Sequence, residues 1–160
     1  MPESHTQISR RRFCADACQL ASCATMAGLA VGCGGMSSSP TGPSNPGAAP
    51  LGVVPGRFAG TQVQVPVAGS ALADVGGAVL VESVAGMFLL SRTSAGTFTA
   101  IDGTCSHESC TITGAAGSAY VCPCHGSRYD RAGKVLQGPA KASLRQFATA
   151  FADGVVAITV

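Results

Sequence analysis

Cys105-Ser106-His107-Glu108-Ser109-Cys110 and, after eleven intervening residues, Cys122-Pro123-Cys124-His125-Gly126-Ser127 carry most of the chemistry legible in this chain. Four of the eight cysteines and two of the three histidines fall inside that window; the other four cysteines lie within the first 33 residues, and His5 is near the start. Thiols and imidazoles gathered into one short stretch point to a bound metal. Each half offers one thiolate and one imidazole, with Cys105 and His107 two apart and Cys122 and His125 three apart. The intervening segment, Thr111 to Val121, is predicted to form a hairpin turning at Gly114-Ala115-Ala116-Gly117, bringing the two loops face to face. Such loops build a site of two thiolates and two imidazoles. A structural zinc ion accepts those donors, although zinc fingers rarely open with cysteine and histidine only two apart. A covalent haem needs two residues between its cysteines before the histidine, and Cys122-Pro123-Cys124-His125 has one. A two-iron, two-sulfide cluster accepts the same donor set.

Around this window the sequence alternates like strands. Thr61-Gln62-Val63-Gln64-Val65-Pro66-Val67 has strict period two, and Ala78-Val79-Leu80-Val81 is a short apolar run. Met87-Phe88-Leu89-Leu90 and Thr97-Phe98-Thr99-Ala100 follow, with turns expected at Ala85-Gly86 and Ala95-Gly96; Gly154 to Val160 ends the chain as a β-branched strand. No stretch of ten or more residues has the period of an amphipathic helix. Residues 58–160 are therefore expected to form an all-β, antiparallel domain of roughly 100 residues, with a small subdomain made of the two ligand loops. Composition agrees. Charged residues make up only 11% of the chain, with 21 Gly, 9 Pro and no Trp, which disfavours a charged helical bundle or coiled coil. The net charge is +2, and three of the ten basic residues are Arg10, Arg11 and Arg12. The remainder is nearly neutral, so no basic face exists to neutralise phosphates, and nucleic-acid binding is excluded.

Residues 1–33 read as an export segment. Ser9-Arg10-Arg11-Arg12-Phe13 matches a twin-arginine signal, and the uncharged run from Ala17 to Gly35 follows it. That run is rich in Ala, Gly and Cys, so it gains little transfer energy as a permanent span. Leu29-Ala30-Val31-Gly32-Cys33 resembles a bacterial lipobox and makes Cys33 the lipidation candidate; a retained anchor and simple cleavage are the other outcomes. Cys14, Cys18 and Cys23 read as small apolar residues of the signal. Residues 34–57 are read as a linker: Met36 to Gly56 holds five prolines, four glycines and no charge. As a flexible coil this stretch spans roughly 25 Å.

The paired loops closely resemble those of the high-potential Rieske [2Fe-2S] proteins, of the type found in cytochrome bc complexes, over roughly residues 60–160. The resemblance implies that Cys105 and Cys122 ligate an inner ferric iron and that His107 and His125 hold the outer iron, where the electron localises. Replacing two thiolates by neutral imidazoles makes the cluster less negative and easier to reduce, with potentials of about −150 to +300 mV for such centres. It further implies a disulfide between Cys110 and Cys124, which the Rieske ferredoxins of oxygenases lack; an exported protein can form it. Ser127 and Tyr129 match the family's hydroxyl donors to a bridging sulfide and to a cysteine sulfur, which raise the potential. Gly138-Pro139-Ala140 resembles the loop that covers the third side of the cluster.

No carboxylate–histidine triad for a mononuclear iron is visible, and beyond the linker only two histidines exist. The expectation is one-electron transfer by an exported, membrane-tethered protein on the periplasmic side of a bacterial membrane, not catalytic alone. Its partners would be redox proteins, a cytochrome or an oxidoreductase subunit. The competing expectation is the Rieske subunit of a quinol-oxidising cytochrome bc complex. Such subunits usually place leucine and then glycine after the first ligand histidine, where this chain has Glu108-Ser109. A carboxylate is costly to bury at an apolar docking tip, which favours a stand-alone carrier.

Overall fold

The computed structural model describes residues 47–160; the export segment, Cys33 and the first part of the linker lie outside them. The described chain is built of thirteen strands. These are β1 (Ala49–Pro50), β2 (Gly52–Pro55), β3 (Arg57–Ala59), β4 (Gln62–Pro66), β5 (Ala78–Ser83), β6 (Gly86–Ser94), β7 (Thr97–Asp102), β8 (Gly114–Ala116), β9 (Ala119–Val121), β10 (Arg128–Tyr129), β11 (Val135–Gln137), β12 (Gln146–Ala152) and β13 (Val155–Thr159). They form an eight-stranded sheet in the order β2-β5-β6-β7-β12-β13-β4-β3 and a five-stranded sheet in the order β1-β8-β9-β10-β11. Helical structure among the described residues is one 3-10 turn, Ala71–Ala73, capped by the Ser70 hydroxyl, which accepts from the Leu72 N–H. No helix among them is long and apolar enough to cross a membrane.

The apolar runs at β5 and β6 follow from burial on both faces of the large sheet. Val79, Val81, Phe88, Leu90, Phe98 and Ala100 join one core with Val63, Val65, Leu72, Val156 and Ile158. Their neighbours in the same strands, Leu80, Leu89 and Ile101, belong to a second core with Ile112, Tyr120, Tyr129, Ala140 and Leu144. Alternate side chains leave a strand on opposite faces. The central strands thus build one core with β4 and β13 and a second against the smaller sheet. Cys105 and Cys122 are part of the second core, so the site rests on the back of the main sheet.

The fold is all-β as expected, with three departures in detail. Strand pairing begins inside the stretch read as linker, because β1 and β2 occupy its end. Both are edge strands, where Pro50 and Pro55 lose no ladder bond by lacking an N–H, and they are too short and exposed to show a period. β2 pairs with β5 in parallel, the sole parallel pair among the described strands. The hairpin between the loops does not turn at 114–117: Gly114–Ala116 is strand, paired Ala116 to Ala119, and the turn is Gly117-Ser118 with Gly117 at φ 58°. The β12–β13 hairpin closes on Asp153-Gly154, both at positive φ, as a type I′ two-residue turn requires.

Candidate metal centre

Two six-residue loops make the site. The first, Cys105–Cys110, follows β7; the second, Cys122–Ser127, joins β9 to β10. Their backbones repeat one frame. In the first, the Cys105 N–H donates to the Cys110 carbonyl at 2.8 Å and the Ser109 N–H to the Cys105 carbonyl at 2.9 Å. In the second, the Cys122 N–H donates to the Ser127 carbonyl at 2.9 Å and the Gly126 N–H to the Cys122 carbonyl at 3.1 Å. The fifth residue is left-handed in both, Ser109 at φ 54° and Gly126 at φ 74°. Glycine accepts that conformation without cost and serine does not. At the base of the first loop Thr104 bridges to Thr111, and the Asp102 carboxylate accepts from the Thr104 N–H.

Sequence-distant side chains converge here. Cys105 and Cys122 are free thiols, 2% and 1% exposed. Cys110 and Cys124 form a disulfide joining the loops, with their Cα atoms 6.6 Å apart. The Cys122 sulfur lies within 4.8 Å of both disulfide sulfurs. His107 and His125 stand at the exposed tip, edge to face, with ring centroids 5.0 Å apart. Glu108 lies between them, 60% exposed, its carboxylate 4.0 Å from His107 Nε2 and 3.7 Å from His125 Nδ1. Glu108, which in the sequence bears only on docking, thus completes a two-histidine, one-carboxylate group, a neighbourhood that spacing along the chain does not reveal. At these distances the carboxylate adjoins both rings but lies beyond hydrogen bonding.

The hydroxyls lie behind the thiols. The Tyr129 hydroxyl is 3.2 Å from Cys105 Sγ, and Tyr129 is fully buried. Ser106 holds that hydroxyl in place: its N–H donates to it at 3.3 Å, its Oγ lies 3.1 Å away, and that Oγ donates to the Ala142 carbonyl at 2.6 Å. Ser106 had no assigned role in the sequence, where the only sign was a hydroxyl residue between the first cysteine and histidine. Ser127 is buried and its Oγ accepts from the Ala140 N–H at 3.0 Å, which ties the Gly138-Pro139-Ala140 segment to the second loop and leaves the hydroxyl hydrogen free to donate.

The two thiols are electrostatically unequal. Burial pushes Cys105 up, but the Tyr129 hydroxyl, the His107 and Glu108 N–H groups and the Cys122 thiol outweigh it, holding Cys105 below the usual thiol value. Burial raises Cys122 above the usual thiol value; the Cys124 and His125 N–H groups oppose the rise and its neighbour Cys105 adds to it. Burial and Cys105 likewise raise Tyr129, keeping its proton on oxygen and available to sulfur.

Two adjoining buried thiols, one with a hydroxyl on its sulfur, and two exposed imidazoles are donor types that iron–sulfur clusters accept. A family model described as the Rieske [2Fe-2S] domain matches residues 60–148. The chain belongs to the Rieske family. A Rieske domain carries a [2Fe-2S] cluster, and the donor set fits one. This Rieske chain is 44% identical over 59 residues to the cytochrome b6-f complex iron-sulfur subunit 1 of the Cyanophora paradoxa cyanelle, covering 36% of this chain and 25% of that protein. It is 32% identical over 66 residues to the corresponding subunit of Chlorobaculum tepidum, covering 41% and 36%. The match thus spans a quarter to about a third of these relatives' length. Among solved structures, the plasma membrane Rieske protein PetC3 of Synechocystis PCC 6803 aligns with a TM-score of 0.47 at 28% identity, over 52% of this chain and 86% of that one.

Proposed function

We propose that this Rieske protein is an exported, membrane-tethered carrier that passes one electron at a time between redox proteins. In this reading Cys105 and Cys122 hold the inner iron and His107 and His125 the outer iron. The bound cluster supplies a one-electron couple, in the range of about −150 to +300 mV for mixed cysteine–histidine ligation. The observation that carries the reading is the division of donors: thiols sealed in the core, imidazoles at the surface where a partner can approach. The chain's own groups do the rest. The second core keeps water from the sulfurs, the Cys110–Cys124 bridge fixes the loops against each other, and the Tyr129 hydroxyl withdraws electron density from Cys105. Ser127 faces the same interior with a free hydroxyl hydrogen.

Glu108 bears on the partner. A carboxylate at the tip loses hydration on docking and needs a positive group opposite it. A redox protein with a basic docking face meets that need. Export by the twin-arginine route, lipidation at Cys33 and a tether formed by the linker complete the proposal on the sequence motifs alone.

The names of the relatives, iron-sulfur subunits of cytochrome b6-f complexes, favour a second reading in which the chain is the Rieske subunit of a bc-type complex, with His107 or His125 receiving a proton during quinol oxidation. A pull-down from native membranes in mild detergent, with a reduced-minus-oxidised haem spectrum of the eluate, separates the two. The carrier reading predicts an intact cluster without b-type haem. Stoichiometric b haem would replace it with the complex.

A further inference from the structure

Glu108 follows His107 directly, and the first loop fixes the backbone from which its side chain leaves. The Cys105 N–H closes that loop on the Cys110 carbonyl, the Ser109 N–H turns it back onto the Cys105 carbonyl, and the Cys110–Cys124 bridge pins its far end. The left-handed residue, Ser109 at φ 54°, comes immediately after Glu108. From this frame the carboxylate reaches both loops, 4.0 Å from His107 Nε2 and 3.7 Å from His125 Nδ1. Among the described residues no lysine or arginine pairs with it. Its charge is left to solvent and to whatever docks on the tip.

That charge bears on any electron arriving beside the imidazoles. Reduction adds one negative charge there, and a carboxylate within 4.0 Å of both rings repels it. The Tyr129 hydroxyl acts in the opposite sense from the buried side, 3.2 Å from Cys105 Sγ, where a donor to sulfur favours the reduced state. The two groups differ in access. Tyr129 is fully buried, out of a partner's reach, whereas the Glu108 side chain is 60% exposed. A docked partner changes the surroundings of the carboxylate and leaves those of the phenol as they were.

We propose that Glu108 lowers the reduction potential of the cluster and makes that potential depend on the charge of the docked partner. The inference rests on the ligand assignment proposed above, in which the electron enters beside His107 and His125. A cationic group set against the tip cancels the carboxylate and favours reduction. By linkage, the reduced protein then holds that group more tightly than the oxidised protein does, by the same factor. A redox protein with a basic face therefore binds the reduced carrier and leaves the oxidised one.

Voltammetry of the cluster-loaded full chain in mild detergent at pH 7 tests this with a charge series at one position: the parent protein, Glu108→Gln and Glu108→Lys, the lysine standing for the partner's cation. Each is measured in about 0.01 M and about 1 M sodium chloride, where charges are screened over about 30 Å and about 3 Å. At low salt Glu108→Gln should favour the reduced form about threefold to tenfold, an upward shift of about 30 to 60 mV at 59 mV per tenfold. Glu108→Lys should shift it about twice as far, and both shifts should shrink in high salt. A merely structural role would leave the shift insensitive to salt and to the sign of the new charge. The carboxylate makes no hydrogen bond among the described residues, so neither variant removes a structural contact. An unchanged or lowered potential in Glu108→Gln, or equal shifts at the two salt concentrations, overturns the proposal. Electron paramagnetic resonance of the same samples keeps the two claims apart. A spectrum shared by parent and variants shows the ligands intact and assigns any shift to charge, whereas a parent spectrum without imidazole nitrogen coupling removes the ligand assignment and this inference with it.

Discussion

The two ligand loops share a backbone and differ in what they hang on it. Each closes with an N–H from its first residue to the carbonyl of its sixth, and each makes a left-handed turn at its fifth. Yet the imidazole occupies the third place in the Cys105 loop and the fourth in the Cys122 loop, and the disulfide cysteine occupies the sixth and the third. The unequal spacing seen in the sequence therefore conceals equal local geometry. Facing copies of one frame bring thiols together inside and imidazoles together outside, and the different placement lets the remaining cysteines meet. The loops also differ in electrostatics, since Tyr129 attends Cys105 and Cys122 has no hydroxyl counterpart among the described hydrogen bonds.

That comparison breaks most completely when a donor is removed from either loop. Cys105→Ser or His125→Ala should each abolish the cluster, read as loss of bound iron and of its visible absorption. Retention of a normal cluster by either variant would refute the assigned role. Next in size is the bridge between the loops. A disulfide with a sequence separation of 14 contributes about 3 kcal/mol on the chain-entropy account, so replacing Cys110 and Cys124 together by serine should lower the melting temperature by on the order of 10 °C.

The electrostatic asymmetry gives a smaller effect. Tyr129→Phe should keep the cluster and lower its midpoint potential by about 40 mV, the one-electron equivalent of about 1 kcal/mol of hydrogen bonding. Direct voltammetry measures it, and an unchanged potential would remove Tyr129 from the tuning. The mildest change tests the shared turn itself. Ser109→Gly gives the first loop the residue the second already has, and should raise stability by about 0.5 kcal/mol in thermal melts. The reciprocal Gly126→Ser should lower it by about 1 kcal/mol.

The loops were legible because thiols and imidazoles are rare enough for their spacing to stand out in a chain that is 11% charged. The central strands were legible for a related reason: Ala78–Val81 and Met87–Leu90 are apolar on both faces and Gln62–Pro66 alternates strictly. The smaller sheet was hidden, since its strands run only two or three residues, too short for a period, and β1 and β8 consist of Gly, Ala and Pro. β12 was hidden differently, because Ala148, Ala150 and Ala152 alternate with Phe147 and Phe151 on a half-exposed surface and dilute the contrast. Contacts made across the fold, such as Ser106 with Tyr129 and Ala142, leave no mark along the chain.

Electron paramagnetic resonance of the dithionite-reduced protein tests the central claim, that these two loops hold one cluster with thiolates on one iron and imidazoles on the other. A cluster held in this way gives a rhombic signal with average g below the free-electron value and hyperfine coupling to two imidazole nitrogens. An average g typical of all-cysteine clusters, without nitrogen coupling, would contradict it.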